Sequence, residues 1–162
     1  MVTGGAHDRV PPIRWFTDSS IRRRAAEICE PDTTGGRAHV SCGRPTDEHD
    51  VCIVDPDTCA PLDAGAVGEI WFRGPSVCEG YWNRPKLSAR AFRASRSDGD
   101  GPWMRTGDVG FLDRGELFVL GRLHDLLRRE GEWIYPHLHE YDLELANLVN
   151  GPVVLVADPS SP

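Results

Sequence analysis

Lysine is nearly missing from this chain. Lys86 is the one lysine among 18 cationic side chains, the rest being arginine. Chemistry that needs an ammonium group must use Lys86 or borrow one from another chain. Close cysteine pairs are missing too. Cys29, Cys42, Cys52, Cys59 and Cys78 are odd in number and show no C-x-x-C spacing, so free thiols in a reducing compartment are expected and no metal site. No apolar run approaches the ~20 residues of a bilayer span. The opening MVTGGAHDRVPP lacks the apolar centre of a secretory signal. A cytoplasmic protein with no membrane span is therefore expected. Positive charge is also short: 18 basic against 25 acidic residues give −7. That is a poor basis for neutralising phosphates, so no nucleic-acid partner is expected.

What is present reads as globular. A chain of 162 residues can bury roughly 70% of its unfolded surface. With 40% hydrophobic and 27% charged residues it is no long disordered chain, collagen-like repeat or coiled coil. Residues 1–37 read as an irregular segment with a short helix. Thr17-Asp18-Ser19-Ser20 offers cap chemistry, and Ile21, Ala25, Ile28 and Cys29 fall on one helical face. Arg22, Arg23 and Arg24 lie mostly off that stripe, as a solvated face or an anion or partner contact. Residues 38–121 read as β-rich: Val51–Val54, Gly68–Gly74 and Gly115–Gly121 are strands between turn residues. A short helix begins at Pro85, and Ser95–Pro102 is a flexible loop tip. Residues 122–162 switch to helix-then-strand order. Pro136 opens a helix carrying Leu138, Tyr141, Leu145 and Leu148, Asn150-Gly151 closes it, and Val153–Val156 is a strand.

Three segments could carry chemistry: Gly68–Pro85 (GEIWFRGPSVCEGYWNRP), Trp103–Phe111 (WMRTGDVGF) and Gly121–Pro136 (GRLHDLLRREGEWIYP). In the second, Thr106-Gly107-Asp108 is a tight polar turn. A carboxylate is acceptor-only with two oxygens, so Asp108 could take both hydroxyls of a vicinal diol, or simply cap the turn. In the third, Arg122 offers a planar fork of donors for phosphate or diol oxygens, or an ordinary surface ion pair. Asp125 is a pivot or a loop aspartate.

Together the segments resemble the adenylate-forming (acyl-activating) superfamily, and most closely its fatty acyl-AMP ligase branch. The run GEIW-RGPSV--GYW-RP is matched at Gly68–Pro85. The aromatic-x-R-T-G-D-x-G motif is matched at Trp103–Gly110, including Arg105, Thr106 and Gly107. The G-R-x-x-D motif with a following Y-P is matched at Gly121, Arg122, Asp125, Tyr135 and Pro136. His39–Pro45 resembles the V-S-C-G-x-P stretch of the branch. The resemblance implies an α/β, β-rich fold: a small barrel- or sandwich-like lobe of the ligase N-terminal domain, then the start of the α/β C-terminal domain. It implies that Asp108 and Arg122 bind the nucleotide ribose and that Asp125 is the hinge between half-reactions.

The sequence also departs from the family, as if truncated at both ends. It has no Gly-rich, Lys-bearing phosphate loop, no Y-G-x-x-E adenine motif and no C-terminal catalytic lysine. Arg128-Arg129-Glu130 stands where the family is usually apolar after the hinge. The family joins an acyl carboxylate to ATP, giving acyl-AMP and pyrophosphate, and then transfers the acyl group to a thiol. The expectation is a ligase-like chain with no catalytic residue of its own, unable to adenylate alone. It would use ATP or AMP and Mg only when completed by a partner: the missing ligase part, an acyl carrier protein, or a second copy. The setting would be acyl activation for lipid or polyketide biosynthesis. Two alternatives stay open. One is a free-standing, non-catalytic module that binds a carrier protein or partner enzyme. The other is a fragment turned to different chemistry through His124, His137, His139 and Glu140, although His137 and His139 would not share a helix face.

Overall fold

The computed structural model describes residues 2–5 and 10–145. Its strands and helices, in chain order, are β1 (Thr3–Gly4), β2 (Ile13–Thr17), α1 (Asp18–Arg22), β3 (Gly36–Val40), β4 (Arg44–Pro45), β5 (Asp50–Val54), β6 (Gly68–Arg73), α2 (Pro85–Phe92), β7 (Met104–Asp113), β8 (Glu116–Arg122), β9 (Leu127–Arg129), β10 (Glu132–Ile134) and α3 (Pro136–Leu145). The chain is strand-rich, as expected. An antiparallel sheet in the order β5-β6-β7-β8 is flanked by the two-stranded pairs β2-β3, β1-β4 and β9-β10. Among the described residues no helix is long and apolar enough to cross a membrane.

Local sequence explains the turns. Arg114 and Gly115, between β7 and β8, both have positive φ (51° and 78°). That is the two-residue turn whose twist suits a hairpin, with glycine taking the left-handed second position without strain. Glu130 and Gly131 repeat the device between β9 and β10 (φ 52° and 83°). The Arg128-Arg129-Glu130 stretch is thus a short polar hairpin. After β5, the Asp55 carboxylate accepts hydrogen bonds from the amides of Asp57 (3.0 Å) and Thr58 (2.8 Å) and from the Thr58 hydroxyl (3.0 Å).

The helix expected from Ile21 to Cys29 stops at Arg22. Thr17 caps it, accepting from the Ser20 amide. Arg24 then adopts a left-handed φ of 65°; Ala25 bridges Ala66 and Ile28 bridges Phe16. Tertiary pairing wins here over helical periodicity. The Arg24 guanidinium bonds Asp55 (2.8 Å) and the Val67 carbonyl (3.2 Å) and lies 4.4 Å from the Trp133 ring centre. Of the three arginines, Arg23 is exposed, Arg22 approaches Glu132 (3.7 Å) and Arg24 is an internal brace. The segment before α1, read as irregular, includes β2, paired with β3 from Ile13↔Val40 to Thr17↔Gly36. The loop Ser95–Pro102 is tied down by Arg96, which bonds Asp98 (2.7 Å) and Asp100 (3.2 Å). All five cysteines are free thiols. Asn150-Gly151 and the strand Val153–Val156 lie outside the described residues.

The main core joins distant parts of the chain. Phe16 meets Phe111 and Phe118 edge-on at 4.8 and 5.6 Å, and those two rings stack at 5.1 Å. Ile21, Val67, Val109 and Leu120 complete it, and so do Trp133 and Tyr135. The segment after Asp125 therefore shares the core of the preceding lobe. Burial pushes the Tyr135 hydroxyl above its ordinary pKa. Smaller clusters, Ile53-Ile70-Leu117 and Val54-Trp71-Trp103, fill the rest of the sheet.

Candidate functional site

The site forms where β6, β7 and β8 lie side by side. β6 reads Gly68-Glu69-Ile70-Trp71-Phe72-Arg73, and its alternation turns a carboxylate inward. Glu69 is only 2% exposed. Burying a charge is costly unless donors surround it. Arg105 supplies two: Nη2 donates to Oε2 (2.6 Å), and Nε donates to Oε2 (3.1 Å) and Oε1 (3.3 Å). The Gly107 amide gives a further hydrogen bond to Oε1 (3.2 Å). The Arg105 guanidinium also lies 5.1 Å from the Trp71 ring centre. Sequence reasoning missed Glu69. Its signal was an acidic residue directly before the apolar run Ile70-Trp71-Phe72.

Thr106 continues this frame. Its hydroxyl donates to the Ile70 carbonyl (2.7 Å) and accepts from the Asp108 amide (2.9 Å). Gly107 takes a φ of 73°, which a side chain rarely adopts. The β6–β7 register shifts between Glu69 and Trp71, and the β7–β8 register between Val109 and Gly110. Such irregularities re-aim side chains next to a site. Between the two shifts stands Asp108, opposite Arg122 in the β7–β8 register. Arg122 Nε forms an ion pair with Asp108 Oδ1 at 2.9 Å, with the side chains 59% and 33% exposed. Among the described residues Oδ2 of Asp108 has no hydrogen-bond or ion-pair partner, so it can take hydroxyl or water donors.

The other expected residues are placed as follows. Gly121 has a φ of 152°, and a side chain there would meet the His137 ring at 3.0 Å, so its bareness lets α3 approach β8. Asp125 ends the single turn Leu123–Asp125, 61% exposed, with His124 Nε2 3.2 Å from Oδ1. The structure thus brings Asp108 and Arg122 together, frames them with Arg105, Thr106 and Gly107, and gives Asp125 a separate neighbour. A shallow cavity of about 420 Å³ lies alongside, lined by Glu69, Leu87, Arg90, Gly107, Leu123 and His124 among others. Among the described residues no group of three or more His, Cys, Asp or Glu side chains is placed to hold a metal ion. Burial lowers the pKa of the His39 imidazole; the nearby charge of Asp18 opposes this, while Arg37 and His137 reinforce it.

Comparison with known proteins agrees with this arrangement of motifs. Residues 22–82 match a family described as AMP-binding enzyme. The long-chain-fatty-acid–AMP ligase FadD26 of Mycobacterium tuberculosis is 38% identical over 149 residues, covering 89% of this chain and 25% of that protein. A 4-hydroxyphenylalkanoate adenylyltransferase of Mycobacterium marinum is 37% identical over 151 residues, 90% of this chain and 24% of that protein. Among solved structures, the fatty acyl-adenylate ligase of Legionella pneumophila, in complex with acyl adenylate and pyrophosphate, superposes with a TM-score of 0.70. It is 32% identical and covers 91% of this chain and 26% of that one. The chain spans about a quarter of the length of the relatives it matches.

Proposed function

Because this chain is a homologue of the AMP-binding, adenylate-forming enzymes, and of their fatty acyl-AMP ligases in particular, we propose that it supplies the ribose-contacting edge of an acyl-adenylate site and works in acyl activation only when the rest of that site is brought from outside these 162 residues, as by a partner chain. The observation that carries the reading is the open Asp108–Arg122 pair on a fully satisfied Glu69–Arg105 frame. The Asp108 carboxylate accepts the ribose hydroxyls, and Arg122 holds that carboxylate in place and can itself donate to the sugar. The frame fixes both groups before the ligand arrives, which is how positioning contributes to such a reaction.

This division of labour fits the sequence. ATP supplies the adenylyl group at the completed site, yet no Gly-rich, Lys-bearing loop for its phosphates occurs in these 162 residues. The described residues also gather no metal-holding cluster for the accompanying Mg, so phosphoryl chemistry is assigned to the completing partner. Residues 122–162 act as hinge and partial C-terminal domain on this reading, with Asp125 as pivot. A rotation there would have to draw Trp133 and Tyr135 out of the lobe core. The natural setting is cytoplasmic lipid or polyketide assembly, with a carrier protein as acyl acceptor.

The test is ATP–pyrophosphate exchange with a panel of fatty acids. The chain alone is expected to show none. Adding a fatty acyl-AMP ligase fragment that carries the phosphate loop and the catalytic lysine is expected to give exchange, which Asp108→Asn then removes. Robust exchange by the chain alone, or exchange indifferent to Asp108→Asn, would falsify the reading. A second reading, a free-standing non-catalytic module, is favoured by the main core, in which Trp133 and Tyr135 join Phe16, Phe111 and Phe118.

A further inference from the structure

A basic stretch surrounds α2 of this acidic chain. From Gly80 to Ser97 there is no Asp or Glu, although the whole protein has a net charge of −7. Within that stretch α2 and its flanks carry Arg84, Lys86, Arg90 and Arg93, all exposed. Arg14, Arg24, Arg37, Arg73, Arg96, Arg105 and Arg128 form ion pairs with carboxylates, whereas Arg23, Arg44, Arg114 and Arg129 are exposed and form none among the described residues. Among the described residues the four cations on and beside α2 likewise form none. They are therefore uncompensated charge, concentrated on one short helix.

Apolar groups stand beside them. Trp82 is 96% exposed, Tyr81 51% and Leu87 50%. Trp82 and Tyr81 line an open hollow of about 420 Å³ with Glu79, Ser88, Ala89 and Arg93. Hydrogen bonds hold this wall: the Ser88 hydroxyl accepts from the Tyr81 amide (2.9 Å) and donates to the Arg84 carbonyl (2.8 Å). Tyr81 packs edge-on against the buried Phe92 at 5.1 Å. An exposed tryptophan among free arginines has the composition of an interface anchor.

We propose that α2 and the Tyr81–Trp82 cavity form a docking surface for an acidic segment of a partner protein. Charge complementarity selects the acidic partner. The open, partly polar hollow selects a protein side chain over a flat lipid surface. The opposite edge of α2, through Leu87 and Arg90, borders the cavity next to Gly107, so a partner seated on α2 lies beside the candidate site. The inference names a partner chemistry that the adenylate reading leaves open, and it does not depend on nucleotide binding.

The test uses the full chain and a fluorescein-labelled, Glu- and Leu-rich amphipathic helical peptide, followed by fluorescence anisotropy. Saturable binding is expected, weakening as salt is raised. It should fall about tenfold or more in the triple variant Arg84→Glu, Lys86→Glu, Arg93→Glu, and also in Trp82→Ser. Every substituted side chain is exposed, and circular dichroism spectra should remain those of the parent. Vesicles of phosphatidylcholine and phosphatidylserine form the second arm, with no co-flotation expected. Equal peptide binding by parent and triple variant, no binding by the parent, or binding to vesicles but not to peptide would each overturn the proposal. None of these results bears on pyrophosphate exchange, so the two readings fail separately.

Discussion

Two ion pairs stand three residues apart on β7 and behave as opposites. Arg105 meets a Glu69 carboxylate that is 2% exposed, through several hydrogen bonds. Asp108 meets Arg122 through one contact, with the arginine 59% exposed. The first pair cannot change partners without leaving a buried charge bare. The second can exchange solvent or ligand at little cost. One short motif thus contains a rigid frame and a reaching hand, and only the hand is free to act on a ligand.

The largest expected effect asks where the buried region ends. Trp133→Ala, in the segment after Asp125, should destabilise the protein by about 3–5 kcal/mol, as loss of a core aromatic does. Guanidinium unfolding checks it; a change within about 0.5 kcal/mol, the range of surface substitutions, would show that this segment is separate from the lobe. Next, Glu69→Gln leaves Arg105 and the Gly107 amide poorly paired. It should cost about 2–4 kcal/mol, less than a fully buried pair would because Arg105 is partly exposed.

Asp55 gives a pH-dependent effect of similar rank. Burial pushes its pKa up, but the Thr58 amide and hydroxyl, Arg24 and the Asp57 amide outweigh it and bring the pKa down to about 2 from 3.8. A depressed carboxylate stabilises the fold above its unfolded value and loses that contribution as pH falls. On the order of 2 kcal/mol should therefore disappear between about pH 4 and pH 2. Asp55→Asn should flatten that part of the stability–pH curve. The smallest effect belongs to the open pair: Asp108→Asn should change stability by no more than about 1 kcal/mol.

Much of this was legible in the sequence. Pro85 and Pro136 each open a helix where expected, and the glycine-bounded strands Gly68–Arg73 and Glu116–Arg122 fold as read. The pairing of Asp108 with Arg122 follows from motifs on adjacent strands. What could not be read depends on contacts distant in sequence. Ala25 and Ile28 keep helical spacing yet pair with Ala66 and Phe16. Glu69 stands out as an acidic residue beside an apolar run, but its partner Arg105 arrives only from the next strand. The Glu130-Gly131 turn was visible as residues, but the polar sequence beside it hid a hairpin whose Trp133 enters the main core.

The most direct measurement is side-by-side denaturant unfolding of Glu69→Gln and Asp108→Asn against the parent chain. A lower midpoint for Glu69→Gln at unchanged slope, with Asp108→Asn at or near the parent midpoint, is the expected result. Equal losses in the two variants, or a larger loss for Asp108→Asn, would contradict the division of the motif into a buried frame and an open ligand-facing pair.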